Sequence, residues 1–239
     1  MKHLDVPDNL DITSLDVHPL CRRAAELLQS YLTQQTDWKH NFGLNDETDT
    51  AIIGKMFGVL VVKNASGELG FLIGFSGKLA GTNQHKYFVP PIFDTLSNEF
   101  ILNKGMIELG EINAQIRALE ANDKRECMGE IHALKKQRKH HSSSLQNKLY
   151  GQYVFRNAEG REKNLIDIFA EVSYRNPPAG AGECAAPKLL QYAFIHDMKP
   201  LALAEFWWGQ SPRSANWKHR QFYPVCKEKC VPILRHMLS

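Results

Sequence analysis

The chain has 239 residues, of which 43% are hydrophobic and 23% are charged, and its formal net charge is +3 at pH 7. This composition predicts an ordinary soluble protein of one large or two small domains, and no apolar run approaches the roughly 20 residues that span a bilayer. The modest charge also means that any nucleic-acid-binding surface would have to come from local basic clusters.

The amino-terminal segment carries acids and prolines where a secretory signal needs a basic start and a continuous apolar core. We therefore expect a cytosolic protein with reduced thiols. In that setting an uneven cysteine spacing favours metal binding or catalysis for a close pair and burial for isolated residues. The five cysteines are Cys21, Cys127, Cys184, Cys226 and Cys230.

The first third of the chain predicts a helix followed by a β-hairpin. Asp16 is a suitable N-cap for a helix through residues 17–35, whose leucines and alanines form one apolar side. Two apolar runs, 59–62 and 69–75, flank the turn-forming sequence Asn-Ala-Ser-Gly at 64–67. Because both runs are almost continuously apolar, we expect helices to cover both faces of these strands.

Residues 104–150 are charged and rich in helix-forming residues, with apolar positions at helical spacing. They predict a helical hairpin or a short coiled-coil arm through which the chain could form a homodimer. The expected fold is therefore α/β, with a mixed sheet covered by helices. Residues 1–103 and 151–239 would form the two halves of its core around the inserted arm.

Three cysteines in the last third of the chain lie at or near the starts of predicted helices. Cys184 comes directly after a Pro- and Gly-rich loop, at a position where backbone N–H groups and the helix dipole favour a thiolate. Cys226 and Cys230 are spaced by one turn of a predicted terminal helix. Three such thiolates could hold Zn²⁺, with His219 or Glu183 as the nearest candidate for a fourth ligand. The alternative is that these cysteines are small buried residues.

The predicted strand through "KPLALAEFWWG" places Glu205 beside Trp207 and Trp208. Since side chains alternate between the faces of a strand, we expect one of the two tryptophans in the core. Glu205 and Glu183 are the candidate proton-transfer residues, should a metal-bound water exist nearby.

Two basic clusters make RNA a reasonable partner. The first follows the strand, where cations alternate with Trp217, a combination that suits phosphate contacts and base stacking. The second lies in the arm, where the alternative is a solvated helix face. The cationic residues are Arg213, Lys218 and Arg220 in the first cluster, and Lys135, Lys136, Arg138 and Lys139 in the second.

Five motifs follow one another along the chain: "KMFGVLVVKNASGELGFLIGFSGKLAG", "YFVPPIFD", "PPAGAGECAAPKLLQYAF", "KPLALAEFWWGQSP" and "FYPVCKEKCVPILRHML". Together they resemble the amino-terminal extension of some bacterial RluA-family pseudouridine synthases. The resemblance implies a bacterial, RNA-modification context. The catalytic domain of that family carries an H-R-L-D motif, which is absent from this chain. We therefore expect an accessory module, or a truncated or free-standing relative, without the synthase active site.

A second resemblance is to the zinc deaminase fold, in which a hairpin, a helix beginning with [HC]-A-E, a strand and a helix beginning with P-C-x2-C follow in order. This resemblance implies that Cys184, Cys226 and Cys230 are metal ligands. Ala186 occupies the position of the catalytic glutamate, and the cysteine pair is spaced by three residues instead of two. A scaffold without activity, keeping a structural metal, fits these departures better than an active deaminase.

Overall fold

The computed structural model of the chain describes residues 6–12, 16–44, 53–96, 99–121, 127–172 and 176–239. The chain forms two compact units, one from Met1–Ile92 with Val154–Ser239 and the other from Phe93–Tyr153. None of the helices within the described ranges combines the length and the apolar character that crossing a membrane requires.

The helices and strands follow one another along the whole chain. The helices are α1 (Pro19–Gln34), α2 (Glu99–Ala121), α3 (Met128–Gln152), α4 (Leu165–Ala170), α5 (Ala185–Ile195) and α6 (Cys230–Met237). The strands are β1 (Lys55–Lys63), β2 (Leu69–Phe75), β3 (Val154–Arg156), β4 (Glu162–Asn164), β5 (Lys199–Trp208) and β6 (Phe222–Tyr223).

The main sheet of the first unit has the strand order β2-β1-β5-β6, and β3 and β4 form a separate two-stranded sheet. The prediction of an α/β fold with a helix-covered sheet is confirmed, but the prediction of a mixed sheet is wrong, because every pairing between these strands is antiparallel. Burial of both faces of a strand is common in parallel sheets. Here it arises because helices cover both faces of an antiparallel sheet.

The two faces of the sheet are covered by different helices. On one face, α1 packs over side chains of β1 and β5, including Phe57 and Phe206, whose rings stack at 5.9 Å. On the other face, α5 approaches closely at Gly58, where the backbone of β1 leaves room for Ala185 and Leu189. We call these the α1 side and the α5 side.

Helix α1 begins two residues later than an Asp16 N-cap would require. Its N-cap is His18, whose Nδ1 accepts a hydrogen bond from the N–H of Leu20 at 3.2 Å. Pro19 then occupies the first helical position, where a missing N–H costs nothing and the fixed φ suits the helix. The proline therefore sets the start of the helix, and the Asp16 prediction is wrong.

The second unit contains α2 and α3. Lys135 forms an ion pair with Glu120 at 2.7 Å, and the ring of His141 contacts the carbonyl oxygen of Gly105 at 3.1 Å. Along α3 the chain runs from Lys135 to His141, while their partners on α2 run backwards from Glu120 to Gly105. The two helices therefore pack antiparallel. Residues 122–126, between the helices, lie outside the described residues.

We predict that Gly58→Ala destabilises the chain by about 1–3 kcal/mol, because it forces an extra atom into a packed core. The new Cβ would lie 2.9 Å from both the Ala185 Cβ and the Leu189 Cδ1. Urea unfolding measures the effect. Gly70→Ala is the matched control in the same hairpin, since no atom lies within 4 Å of its added Cβ. Equal stabilities of the two variants would contradict the close packing of α5 on β1.

Candidate functional site

Three thiols meet where α5 and α6 begin. Cys184 is the N-cap residue of α5, and Cys230 is the first residue of α6. The thiols of Cys184 and Cys226 both lie close enough to the Cys230 thiol to affect its pKa. The structure thus brings together the three cysteines that the sequence singled out, and we call them the thiol cluster.

The sequence pattern predicts Cys226 on the terminal helix, but in the structure it lies before that helix. Helix α6 begins only at Cys230, and Cys226 lies in the preceding turn, where its carbonyl accepts the N–H of Cys230 at 3.1 Å. This turn leaves backbone N–H groups free to point at the sulfur, and the N–H of Lys229 donates to the Cys226 Sγ at 3.3 Å. The spacing of one turn therefore correctly predicts that Cys226 and Cys230 lie close together, even though the helix starts later.

The thiols differ strongly in acidity. The contact with Cys230 and the N–H groups of residues 228–230 lower the pKa of Cys226 to about 5, against the opposing effect of burial. Hydrogen bonding to its two neighbouring thiols, followed by burial, raises the pKa of Cys230. These opposite shifts make Cys226 the more acidic and Cys230 the less acidic of the two thiols.

The Glu205 carboxyl group lies beside the thiol cluster on the α5 side of the sheet. It is 5% exposed, and its Oε1 accepts a hydrogen bond of 3.0 Å from the N–H of Ala186 in the first turn of α5. Burial raises the pKa of Glu205 to about 7; the Ala186 hydrogen bond opposes this effect and the charge of Cys226 adds to it. Near neutral pH this carboxyl group can therefore both hold and release a proton.

Lys188 is a buried cation that the sequence reasoning missed. It is 2% exposed, and its Nζ lies 4.8 Å from the ring centre of Phe75. Burial lowers the pKa of Lys188 to about 8, while the charges of Glu183 and Cys184 oppose the shift. The sequence feature that could have identified Lys188 as buried is its position in the largely apolar helix sequence "AAPKLLQYAF". The carbonyl of Glu183 accepts the N–H of Gly77 at 2.9 Å, which holds this loop to the hairpin.

His219 is not brought to the thiol cluster. Its Nδ1 accepts the N–H of Gly209 at 2.9 Å, and its ring packs on Trp208 at 4.4 Å between centroids. Trp208 belongs to the α1-side core, whereas Glu205 contacts α5 on the opposite side. The prediction of His219 as the nearest fourth ligand is therefore not supported by its position.

The prediction that one of the two tryptophans at the end of β5 belongs to the core is confirmed for Trp208, and Trp207 is buried as well. Trp208 is 3% exposed on the α1 side, and Trp207 is 5% exposed. The indole N–H of Trp207 donates to the carbonyl of Gly209 at 3.1 Å, and its ring contacts Trp217 at 4.4 Å. The residues after the strand fold back over Trp207, which is how the second ring becomes buried.

Residues 209–221, which we call the basic loop, join β5 to β6. Backbone N–H groups are held at several points: that of Trp217 donates to the Ser211 Oγ at 2.9 Å, and that of Lys218 donates to the Tyr223 Oη at 2.7 Å. Arg220 adopts a left-handed φ of 65°, fixed by an N–H bond of 2.7 Å to the carbonyl of Trp207. These hydrogen bonds therefore hold the loop backbone in one conformation.

The basic loop directs three cations to solvent. Arg213, Lys218 and Arg220 are all exposed, and none of them forms an ion pair with a described residue. The Arg220 guanidinium lies 5.3 Å from the ring centre of Trp208. Trp217 is half-buried beside Tyr223, with ring centroids 5.7 Å apart. The residues of the first predicted basic-aromatic cluster thus all lie on the basic loop, with its cations exposed.

The basic residues of α3 are exposed as well, but two of them make contacts within the second unit. Lys135 is paired with Glu120, and the Arg138 guanidinium donates to the Asn113 Oδ1 at 3.2 Å. Lys136 and Lys139 complete this exposed block. The block is therefore partly engaged in holding the helical hairpin together.

The thiol cluster matches zinc in the kind of donor that it offers, since three thiols and a carboxyl group are typical zinc ligands. Within the described ranges, no group of three or more His, Cys, Asp or Glu side chains is already placed to hold a metal ion. Zinc binding stays a prediction from the sequence, and no chemical step is derived through a metal here.

Comparisons of the chain with protein-family models, with curated proteins and with solved structures gave no match. Both resemblances therefore rest on the quoted motifs alone. The site has to be interpreted from its own geometry.

We predict that Glu205→Gln makes the stability of the chain less dependent on pH. The folded state keeps the Glu205 proton up to about pH 7, whereas an unfolded chain releases it near pH 4.3. Folding thus takes up a proton between these values, and the wild-type stability from this group is lost as pH rises through 7. Glutamine keeps a carbonyl acceptor for Ala186 without this loss.

Urea unfolding at pH 5 and pH 8 measures the effect. Between these values the wild type should lose about 2–3 kcal/mol relative to Glu205→Gln, an order-of-magnitude figure from the pKa difference. Glu162→Gln, at an exposed position of β4, is the charge-matched control. The same pH dependence in the wild type and in Glu205→Gln would contradict a buried, protonated carboxyl group.

Proposed function

We propose that this chain is an RNA-binding accessory module that contacts RNA through the basic loop and lacks a pseudouridine synthase active site. The observation that carries the proposal is the display of Arg213, Lys218 and Arg220 on one backbone segment held by aromatic residues. Because the backbone of this loop is held by hydrogen bonds, it loses little conformational freedom on binding, so more of the attraction between its cations and phosphates becomes affinity.

The aromatic residues of the basic loop support RNA over a purely acidic protein partner. Trp217 is half-buried, and its ring is inclined by 30° to that of Tyr223. Aromatic rings beside cations suit single-stranded RNA, whose unstacked bases can stack on the rings while the cations contact phosphates. The loop thus offers residues for both kinds of contact.

The basic block of α3 is the weaker RNA candidate. Lys135 and Arg138 already contact Glu120 and Asn113 within the helical hairpin. Exposed lysines on a charged helix are also commonly only solvated. We therefore assign the first contact to the basic loop and treat α3 as a matched comparison.

The resemblance to the extension of RluA-family synthases supports an RNA-modification context. It covers the hairpin, the loop before α5, β5 and α6. The absence of the H-R-L-D motif from the sequence supports a role that does not include the synthase reaction. In this proposal the module supplies RNA affinity, and any isomerisation of uridine is carried out elsewhere.

A salt titration of RNA binding tests the proposal. We expect wild-type protein to bind a single-stranded RNA oligonucleotide with an affinity that falls steeply as salt increases. The double variant Arg213→Ala/Lys218→Ala should weaken binding and reduce the slope of log affinity against log salt by about 1.4, since each lost contact to a single strand removes about 0.7. Fluorescence anisotropy at several salt concentrations gives both quantities.

Lys136→Ala/Lys139→Ala removes the same charge from α3 and serves as the control. It should leave the slope close to that of the wild type. The proposal fails if the wild type shows no salt-dependent RNA binding, or if the α3 variant loses as much affinity as the loop variant. Circular dichroism of both variants verifies that the fold is intact.

A further inference from the structure

The basic loop continues directly into β6, which lies at one edge of the main sheet. The N–H of Arg220 donates to the Trp207 carbonyl at 2.7 Å, and the N–H of Trp207 donates to the Gln221 carbonyl at 3.0 Å. This pairing carries on into β6, where Phe222 lies opposite Phe206 of β5. The end of the loop is therefore joined to the sheet edge without a break.

Arg22 of α1 reaches this same edge of the sheet. Its guanidinium carbon lies 5.4 Å from the ring centre of Phe222, and its Nε donates to the Val17 carbonyl at 3.3 Å. The side chain is exposed, and it forms no ion pair with any residue in the described ranges. Two contacts thus hold the Arg22 side chain, while no described acid neutralises its charge.

The guanidinium groups of Arg22 and Arg220 contact neighbouring rings on the α1 side. Arg220 lies over Trp208, which follows Phe206 by two residues on β5, so these two side chains are on one face and about 7 Å apart along the strand. Phe222, beneath Arg22, is the cross-strand neighbour of Phe206, with ring centroids 6.0 Å apart. All three rings pack in or against the α1-side core. The two cations therefore lie over adjacent parts of one aromatic cluster.

Arg23, the next residue of α1, differs from Arg22 in both charge environment and position. Its guanidinium forms an ion pair with Glu26 at 3.3 Å. Arg23 also lines a groove with Leu69 and Phe71 of β2, and β2 and β6 form opposite edges of the sheet. Two consecutive arginines of one helix thus lie toward opposite edges, and Arg22 is the one on the side of the basic loop.

We propose that Arg22 is a further RNA-contacting residue, and that a bound single strand runs from the basic loop along β6 to the start of α1. This inference rests on the proposed function, because it extends the same RNA site. A planar guanidinium group packed on an aromatic ring keeps N–H donors at its edge for a phosphate. Since contacts already hold the side chain, little of its conformational freedom is lost on binding.

Acidic residues limit this RNA path beyond Arg22. Asp11 and Asp16 line a small cavity together with Phe222 and Tyr223 of β6. Carboxylates at this place repel the phosphates of an approaching strand. The strand therefore does not continue past the start of α1, and Arg22 adds a single phosphate contact to those of the basic loop.

Fluorescence anisotropy of the full chain with a single-stranded RNA oligonucleotide, at several salt concentrations, tests the assignment. Arg22→Ala should reduce the slope of log affinity against log salt by about 0.7, which corresponds to one phosphate contact. At 0.1 M salt its affinity should be about fivefold below that of the wild type, because the contact contributes little near 1 M salt. Arg23→Ala removes the same charge at the opposite edge and should leave both quantities unchanged.

Arg22→Lys separates the charge of Arg22 from its packing on Phe222. Lysine keeps the positive charge, so this variant should retain the wild-type slope even if its stability is lower. A slope that falls as much in Arg22→Lys as in Arg22→Ala would overturn the assignment, and so would equal losses in Arg22→Ala and Arg23→Ala. Urea unfolding verifies that all three variants are folded under the assay conditions.

Failure of this inference is distinguishable from failure of the proposed function. If Arg213→Ala/Lys218→Ala weakens RNA binding but Arg22→Ala does not, Arg22 is excluded and the basic loop stays the RNA site. If the wild type shows no salt-dependent RNA binding, both proposals fail. Displacement of the RNA by an equal concentration of a polyglutamate peptide would overturn both in favour of an acidic protein partner.

Discussion

The hydrogen bond between the Ala186 N–H and the buried Glu205 carboxyl group fixes the start of α5 above strand β5. Burying a carboxyl group costs free energy unless it has a hydrogen-bond partner. An unpaired backbone N–H in the first turn of a helix can offset this cost. The bond sets the position of Cys184, the N-cap of α5, relative to the sheet. Since α6 packs against α5, the Cys226–Cys230 turn then meets Cys184 at that point.

Strand β5 also connects the thiol cluster to the basic loop. Glu205 faces the α5 side, and two residues further along the same strand Trp207 supplies the acceptor that holds Arg220 in its left-handed conformation. Trp208, on the α1 side, lies beneath the Arg220 guanidinium. One strand therefore anchors two surfaces with different chemistry, and a change at its carboxyl end would be felt by both.

Local patterns were sufficient to predict the elements that carry the site. The hairpin of β1 and β2 and the strand β5 follow from continuous apolar runs and turn residues, and both are present. The convergence of three cysteines could be expected because each lies near a helix start. Zinc binding, RNA binding and dimerisation through the helical arm stay predictions, since no contact between described residues tests them.

What could not be predicted depends on long-range packing. Strand direction in the sheet is not encoded in an apolar run, because helices can bury both faces of either kind of sheet. His219 is close to Cys226 in sequence but packs on Trp208, across the sheet from Glu205. The shifts at Lys188 and Glu205 arise from burial beneath α5, which only the assembled fold provides.

Hydrogen–deuterium exchange of the full chain with and without a single-stranded RNA oligonucleotide tests the central proposal most directly. Phosphate and base contacts at the basic loop would slow exchange of the loop amides upon RNA addition. The account predicts that RNA protection is concentrated in residues 209–221 and that α3 is unchanged. Protection confined to α3, or no protection at an RNA concentration that saturates binding, would contradict it.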